Sequence, residues 1–236
     1  MILDDTHEII EFIRSNKPIL KIVASEHKRI SPELMEHIKN DSIPLLRLSE
    51  MAFRKKYSHS RGLVAIIESV ETKELDELLD QLDYTIFNRI LLVDEVNDPQ
   101  NIGAMLRSCV CFGFNAAILT DRNTAPISDG VVKSSSGSCF HIPISRVTNL
   151  SKCIEALRKK GFWIVGTTPD KGEWFNKIDT ERHLAIVMGN EEKGIRQKVL
   201  QYCDYRVQIP MEKGFDSLNV SVAFGVIAFS LFSAKL

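Results

Sequence analysis

Four strand-like apolar runs in this 236-residue chain each end in a polar turn, and those turns hold the side chains with chemical potential. After Leu91-Leu92-Val93 come Asp94 to Gly103 and, further along, Arg107. After Trp163-Ile164-Val165 come Gly166-Thr167-Thr168-Pro169, and after Ile186-Val187-Met188 come Gly189-Asn190-Glu191-Glu192-Lys193-Gly194. After Val207-Gln208-Ile209 come Pro210-Met211 and then Asp216-Ser217-Leu218-Asn219-Val220-Ser221, which open the apolar run from Val222 to Phe232. Asp, Ser and Asn at that point sit where a helix leaves N–H groups unpaired, which suits a capped core helix and a ligand site equally well. Ligands of open α/β sheets bind off the carboxyl ends of the strands, so four such turns together define a cleft.

The residue types narrow the chemistry. The glycines match neither the dinucleotide fingerprint nor the phosphate loop, since the turn 189–194 lacks the required Ser or Thr after its lysine. No nucleophile elbow, Ser-His-Asp arrangement or glycosidase-like carboxylate pair is visible. The five cysteines (Cys109, Cys111, Cys139, Cys153 and Cys203) form no C-x-x-C, and the C-x-C at 109–111 lacks matching histidines, so no metal site is expected. What is left is Asn, Arg, Ser, Glu and backbone amides, a set for alignment and electrostatics rather than covalent catalysis.

The elements that must position these residues follow from periodicity. Strands are expected at Arg89–Val93, Ala116–Thr120, Phe162–Gly166, His183–Met188 and Tyr205–Ile209, and helices at 102–112, 150–160, 195–202 and from 220 onward. Val/Ile/Leu-rich strands alternating with helices give a parallel sheet covered on both faces. Upstream, a smaller α/β module is expected: helices at 7–15 and at 32–39 after the Ser31 cap, with strands at 19–24, 43–46 and 63–67. Between the two lies an acidic run, 71–83, with Leu75, Leu78, Leu79 and Leu82 at helical spacing, read as a connecting helix. The domains are therefore 1–70, a linker at 71–86, and 87–236.

Apolar content of 44% and charged content of 26% are those of a globular protein. The run 220–234 is short for a membrane span and is broken by serines, so no membrane partner is expected. Residues 1–7 do not read as a signal peptide, and unpaired cysteines suit a reducing cytoplasm. A net charge of −1 does not advertise nucleic-acid binding, but Arg54, Lys55, Lys56 and Arg61 cluster with Tyr57 and His59, and His27-Lys28-Arg29 adds a second basic group. These groups read either as solvated loops or as a patch that tracks phosphate.

Three segments then resemble one family. Asn97 to Ser108, Met188 to Ile195, and Ile209-Pro210-Met211 through Ser217-Leu218-Asn219-Val220-Ser221-Val222-Ala223 are similar, in order and spacing, to the signature motifs of the SpoU (TrmH) RNA ribose 2′-O-methyltransferases of the SPOUT superfamily. Residues 1–70 resemble the L30e-like RNA-binding module of the ribosomal RNA members. Arg146-Val147-Thr148-Asn149-Leu150 and Trp163 to Thr167 look like the subgroup acting on a guanosine of bacterial 23S rRNA. The resemblance implies a trefoil-knotted α/β domain, a homodimer joined through it, and S-adenosylmethionine as cofactor, held by backbone at Thr167, Gly189, Ile209 and Leu218. It implies that Arg107 polarises the target 2′-hydroxyl and holds the adjacent phosphate, with proton acceptance as the alternative. It further implies that Asn101 fixes the loop and Arg107, and that Glu191, Ser217 and Asn219 complete the catalytic set. Capping is the plainer role for Asn101, Ser217 and Asn219, and dipole compensation for Glu191. RNA would meet Arg29, Arg54, Lys55, Lys56 and Arg61. The leading target is 23S rRNA; tRNA ribose methylation and a non-catalytic RNA-binding role are the alternatives. The chain departs from the family pattern at Thr6, along Ser134–Cys139 and at Glu192.

Overall fold

The computed structural model describes residues 1–169, 172–175, 178–212 and 217–234. In chain order the elements are β1 (Ile2–Leu3), α1 (Thr6–Arg14), β2 (Ile19–Ser25), α2 (Pro32–Asn40), β3 (Leu45–Leu48), α3 (Glu50–Lys56), β4 (Leu63–Ile67), α4 (Leu75–Asp80), β5 (Arg89–Asp94), α5 (Pro99–Cys111), β6 (Ala116–Thr120), α6 (Asp129–Ser134), β7 (Ile144–Val147), α7 (Leu150–Lys159), β8 (Trp163–Thr167), β9 (Glu173–Trp174), β10 (Leu184–Gly189), α8 (Gln197–Leu200), β11 (Tyr205–Gln208) and α9 (Val220–Ser233). The first four strands form a sheet of order β1-β4-β2-β3, in which β2 and β3 run parallel and β4 runs against β1 and β2. The other seven form a wholly parallel sheet of order β7-β6-β5-β10-β8-β11-β9.

Side-chain alternation along β5 feeds both faces of the large sheet. Leu91 and Val93 enter one apolar cluster with Met105 and Leu106 of α5 and Phe224 and Ile227 of α9. Ile90 and Leu92 enter another with Ile154 and Leu157 of α7 and Leu78 and Leu79 of α4. The acidic run is thus helical only over Leu75–Asp80, shorter than the expected 71–83, and its leucines pack on the large sheet. Its start is pinned by Lys73 N donating to Ile144 O at 2.8 Å.

Other boundaries moved for local reasons. Pro44 has no N–H and serves only as acceptor to Ile22, so the third strand begins at Leu45 rather than Ile43. The helix expected from Ile102 starts at Pro99, because Asp98 accepts from Gln100 N and proline suits a first helical turn. The helix expected over 195–202 is reduced to Gln197–Leu200, since Arg196 has extended backbone and is tied to Asp94. Arg54, Lys55 and Lys56 close the helix α3, capped by Ser49, and are not loop residues. Among the described residues, no helix is long and apolar enough to cross a membrane.

The small module docks on the large sheet's α5 side through α1. Phe12 packs edge-on against Phe140, with ring centroids 4.9 Å apart, and His141 Nε2 faces Glu11 Oε2 at 2.9 Å. Glu8, on the same helix, is buried at 7% exposure. Burial, then the charges of Asp5 and Asp4, push its carboxyl up to about 7, against the partial relief of Lys133.

Candidate active site

The carboxyl ends of β8, β10 and β11 and the start of α9 enclose a cavity of about 630 Å³, within the range of roughly 300–1,000 Å³ usual for small-ligand sites. Its apolar lining is Pro169, Met188, Val207, Ile209, Met211, Leu218, Val220, Ala223 and Ile227. Its polar lining is Thr167, Thr168, Asn190, Glu191, Glu192, Lys193 and Ser217. Thr167, Gly189, Ile209 and Leu218, the four residues expected at a cofactor, all lie on this wall. Gly189 has no room for a side chain: a Cβ there would stand 2.2 Å from Ile195 N and 2.3 Å from Gly194 C. The turn Asn190–Gly194 therefore folds directly over the strand end.

One hydrogen-bond chain joins three of the polar turns. Asn101 Nδ2 donates to Glu191 Oε1 at 2.8 Å, and Asn219 Nδ2 donates to Asn101 Oδ1 at 3.0 Å. Asn101 is not the helix cap; it sits inside the first turn of α5, 6% exposed, with its amide spent on both neighbours. Asn219 holds two roles at once. Its Oδ1 caps α9 by accepting from Ser221 N at 2.9 Å and Val222 N at 3.4 Å, while its Nδ2 reaches Asn101. Ser217 lines the cavity and is exposed; Asp216, expected beside it, lies outside the described residues.

Arg107 stands apart from this chain. It is exposed, is not part of the cavity wall, and donates through Nη1 to Ser136 Oγ at 3.0 Å. Among the described residues Asn101 hydrogen-bonds to Glu191 and Asn219, and no hydrogen bond joins it to Arg107. The helix explains the separation: residues six apart lie on different faces.

Further residues hold the turns, and residue-by-residue reading passed over them. Asn190 Nδ2 donates to Glu95 O at 2.9 Å, while Asn190 Oδ1 accepts from Glu192 N and Lys193 N at 3.1 Å each. Asp94 is fully buried at the end of β5 and accepts from Arg196 N at 2.9 Å and Arg196 Nε at 2.8 Å. Arg196 also meets Glu95 at 3.0 Å. Burial works against the Arg196 guanidinium, but Asp94 and Glu95 hold its pKa above the ordinary value. A charged residue closing an apolar strand was the available signal for Asp94.

The basic residues separate into different places. A cleft of about 690 Å³ on the small module is lined by His27, Lys28, Arg54, Arg61, Glu50 and three serines. Arg54 Nε donates to Glu50 Oε1 there at 2.7 Å. Lys56 lines a second cleft, of about 350 Å³, that also holds Glu8 and Lys133. Arg29 and Lys55 are exposed and line neither. Among the described residues, no cluster of His, Cys, Asp and Glu has the makings of a metal site.

A parallel α/β sheet with a cavity at its strand ends, and beside it a hydrogen-bonded Glu191–Asn101–Asn219 chain, defines an α/β domain built to bind a small ligand. Comparison with known proteins makes this specific: residues 88–229 match the SpoU rRNA Methylase family, and the chain belongs to that family of RNA methyltransferases. A candidate TrmH family tRNA/rRNA methyltransferase of Staphylococcus aureus is 31% identical over 234 residues, spanning 97% of this chain and 94% of that protein. The SpoU methyltransferase AviRb from Streptomyces viridochromogenes, in complex with the cofactor AdoMet, superposes with a TM-score of 0.81 at 22% identity. That match covers 100% of this chain and 90% of AviRb. A TrmH/SpoU tRNA modifying enzyme of A. aeolicus is 27% identical with a TM-score of 0.58, over 68% of this chain and 82% of its own.

Proposed function

We propose that this protein transfers a methyl group from S-adenosylmethionine to a ribose 2′-hydroxyl of RNA, with a guanosine of 23S rRNA as the target. The observation that carries the proposal is the Glu191–Asn101–Asn219 chain, which ties residues of all three motifs together, with Glu191 on the cavity wall. The cavity suits the cofactor's chemistry: an apolar wall for a neutral purine, carboxylates at Glu191 and Glu192 toward cationic groups, and Lys193 toward a carboxylate. When bound, that cofactor supplies an electrophilic methyl on a sulfonium. The protein's own part is alignment. Gly189 and Ile209 bring backbone to the wall, Leu218 covers it, and Asn101 holds Glu191 and Asn219 in fixed relation. Arg107, a permanent cation, polarises the incoming hydroxyl and binds the adjacent phosphate rather than serving as a resting base.

The direct test is transfer of labelled methyl from the cofactor to purified rRNA and tRNA, followed by mapping of the modified ribose. Label on a 23S guanosine is the expected outcome. Label on tRNA alone would replace the substrate, and cofactor binding without transfer to either RNA would favour a non-catalytic RNA-binding protein.

The small module, which we take to be L30e-like and to comprise residues 1–70, supplies the RNA grip through its basic cleft, with Arg29, Lys55 and Lys56 as outlying contacts. Structured RNA is read by shape and by phosphate and exposed-loop contacts. Changing Arg54 and Arg61 together to alanine is expected to weaken RNA binding at every sequence tested. The slope of log K against log salt should shrink by roughly 1.5 if each arginine meets one phosphate. An unchanged slope in filter-binding titrations would remove these residues from the interface.

The exposed apolar side of α9 supports a homodimer. Val222, Val226 and Phe229 are 50%, 43% and 53% exposed at helical spacing. A second copy of the knotted domain covers that face, and sedimentation equilibrium at the monomer mass would exclude it. The five thiols are unpaired, which suits a reducing cytoplasm.

A further inference from the structure

The turn between α6 and the following 3₁₀ helix (Ser138–Phe140) is gripped from two sides. Arg107 Nη1 donates to Ser136 Oγ at 3.0 Å, and this is the hydrogen bond that the Arg107 side chain makes among the described residues. Ser136 has φ 50, a left-handed backbone position unfavourable for a residue with a side chain. The strain is held by α6's closing bonds, Ser136 N to Lys133 O at 3.1 Å and Gly137 N to Val132 O at 3.0 Å. From the opposite side α1 presses on the turn. A Cβ at Gly137, φ 79, would stand 2.9 Å from Glu11 Cβ and 3.6 Å from Glu8 Cα. The hydroxyl that meets Arg107 thus projects from a backbone with little freedom, although the arginine itself is exposed.

We propose that Ser136 is a positioning residue for Arg107: its Oγ holds the guanidinium in one of the many rotamers open to a free arginine, before RNA arrives. The proposal rests on the reading of Arg107 as the group at the target hydroxyl. The left-handed backbone makes a clean test possible, because glycine removes the hydroxyl and relieves the φ at once.

The experiment is steady-state methyl transfer to the rRNA or tRNA that the wild-type protein labels, with Arg107→Ala as reference. Ser136→Gly is expected to lower kcat roughly tenfold, with the KM for S-adenosylmethionine unchanged and the thermal midpoint unchanged or higher. Ser136→Asn tolerates the same backbone and carries an acceptor, so it is expected to restore most of kcat. The Ser136→Gly, Arg107→Ala double variant is expected to be no slower than Arg107→Ala alone. Full activity of Ser136→Gly beside a crippled Arg107→Ala overturns the proposal and leaves the reading of Arg107 standing. Full activity of Arg107→Ala overturns that reading, and the proposal with it.

Discussion

Asn101→Ala is expected to cut methyl transfer by about two orders of magnitude, the scale of a misplaced reacting geometry. It should also cost about 2 kcal/mol of stability, from two part-buried hydrogen bonds worth roughly 0.5–1.5 kcal/mol each. In a chain of this size that corresponds to about 4–8 °C in the thermal midpoint. Both effects have one origin. The Asn101 amide donates to Glu191 and accepts from Asn219, so its loss frees the turn after β10 and the start of α9 together. The partners are themselves exposed and regain water, which limits the stability cost but not the loss of alignment. Asn101→Asp is the sharper variant: it keeps an acceptor for Asn219 but has no donor for Glu191 and sets a second carboxylate against it. Calorimetric titration with S-adenosylmethionine alongside turnover measures the outcome. Wild-type affinity and turnover in Asn101→Ala would show that the chain is ornamental.

The second large effect concerns pH and lies away from the cavity. Glu8 is buried on the inner face of α1, near the charges of Asp4, Asp5 and Asp129, and its carboxyl is raised from 4.5 to about 7. Below pH 4.5 the group is protonated in both the folded and unfolded chain and does not affect the balance. Between 4.5 and about 7 the unfolded chain releases the proton while the folded chain keeps it, so stability falls as pH rises through that window. Above it the deficit is constant, at up to about 3 kcal/mol. Glu8→Gln keeps the shape without the charge, so its advantage over wild type should widen from pH 5 to pH 8, by roughly 5–10 °C in melting temperature. A difference independent of pH would mean that Glu8 is not held neutral by its burial.

How much of this was legible in sequence depended on the scale of the interaction. The strands at 89–93, 116–120 and 183–188 and the four polar turns were legible because apolar period and strand-end chemistry are local. The boundaries of α8 and α5 were not, because Arg196 is held extended by Asp94 from across the sheet and the Asp98 cap precedes the apolar pattern. The helix α6 and the strand β7 were missed: each is short, and each becomes regular only by packing on α5 or pairing with β6. At the site, residue types announced Asn101, Glu191 and Asn219, but not that they touch, since their contacts span 90 and 118 positions of sequence. The contact of Arg107 with Ser136 depends on a left-handed turn in a serine run that carries no glycine at that position.

Those two spans also set the order in which the enzyme comes into being. Asn219 lies at the base of α9, 118 positions beyond Asn101, so a chain still emerging from the ribosome cannot close the contact to Asn101 Oδ1 until α9 has been made. Contacts of such range close late, after the local helices and neighbouring strands have formed. The cavity is thus closed late: a chain that lacks α9 can carry most of the sheet and still miss the wall that Val220, Ala223 and Ile227 provide.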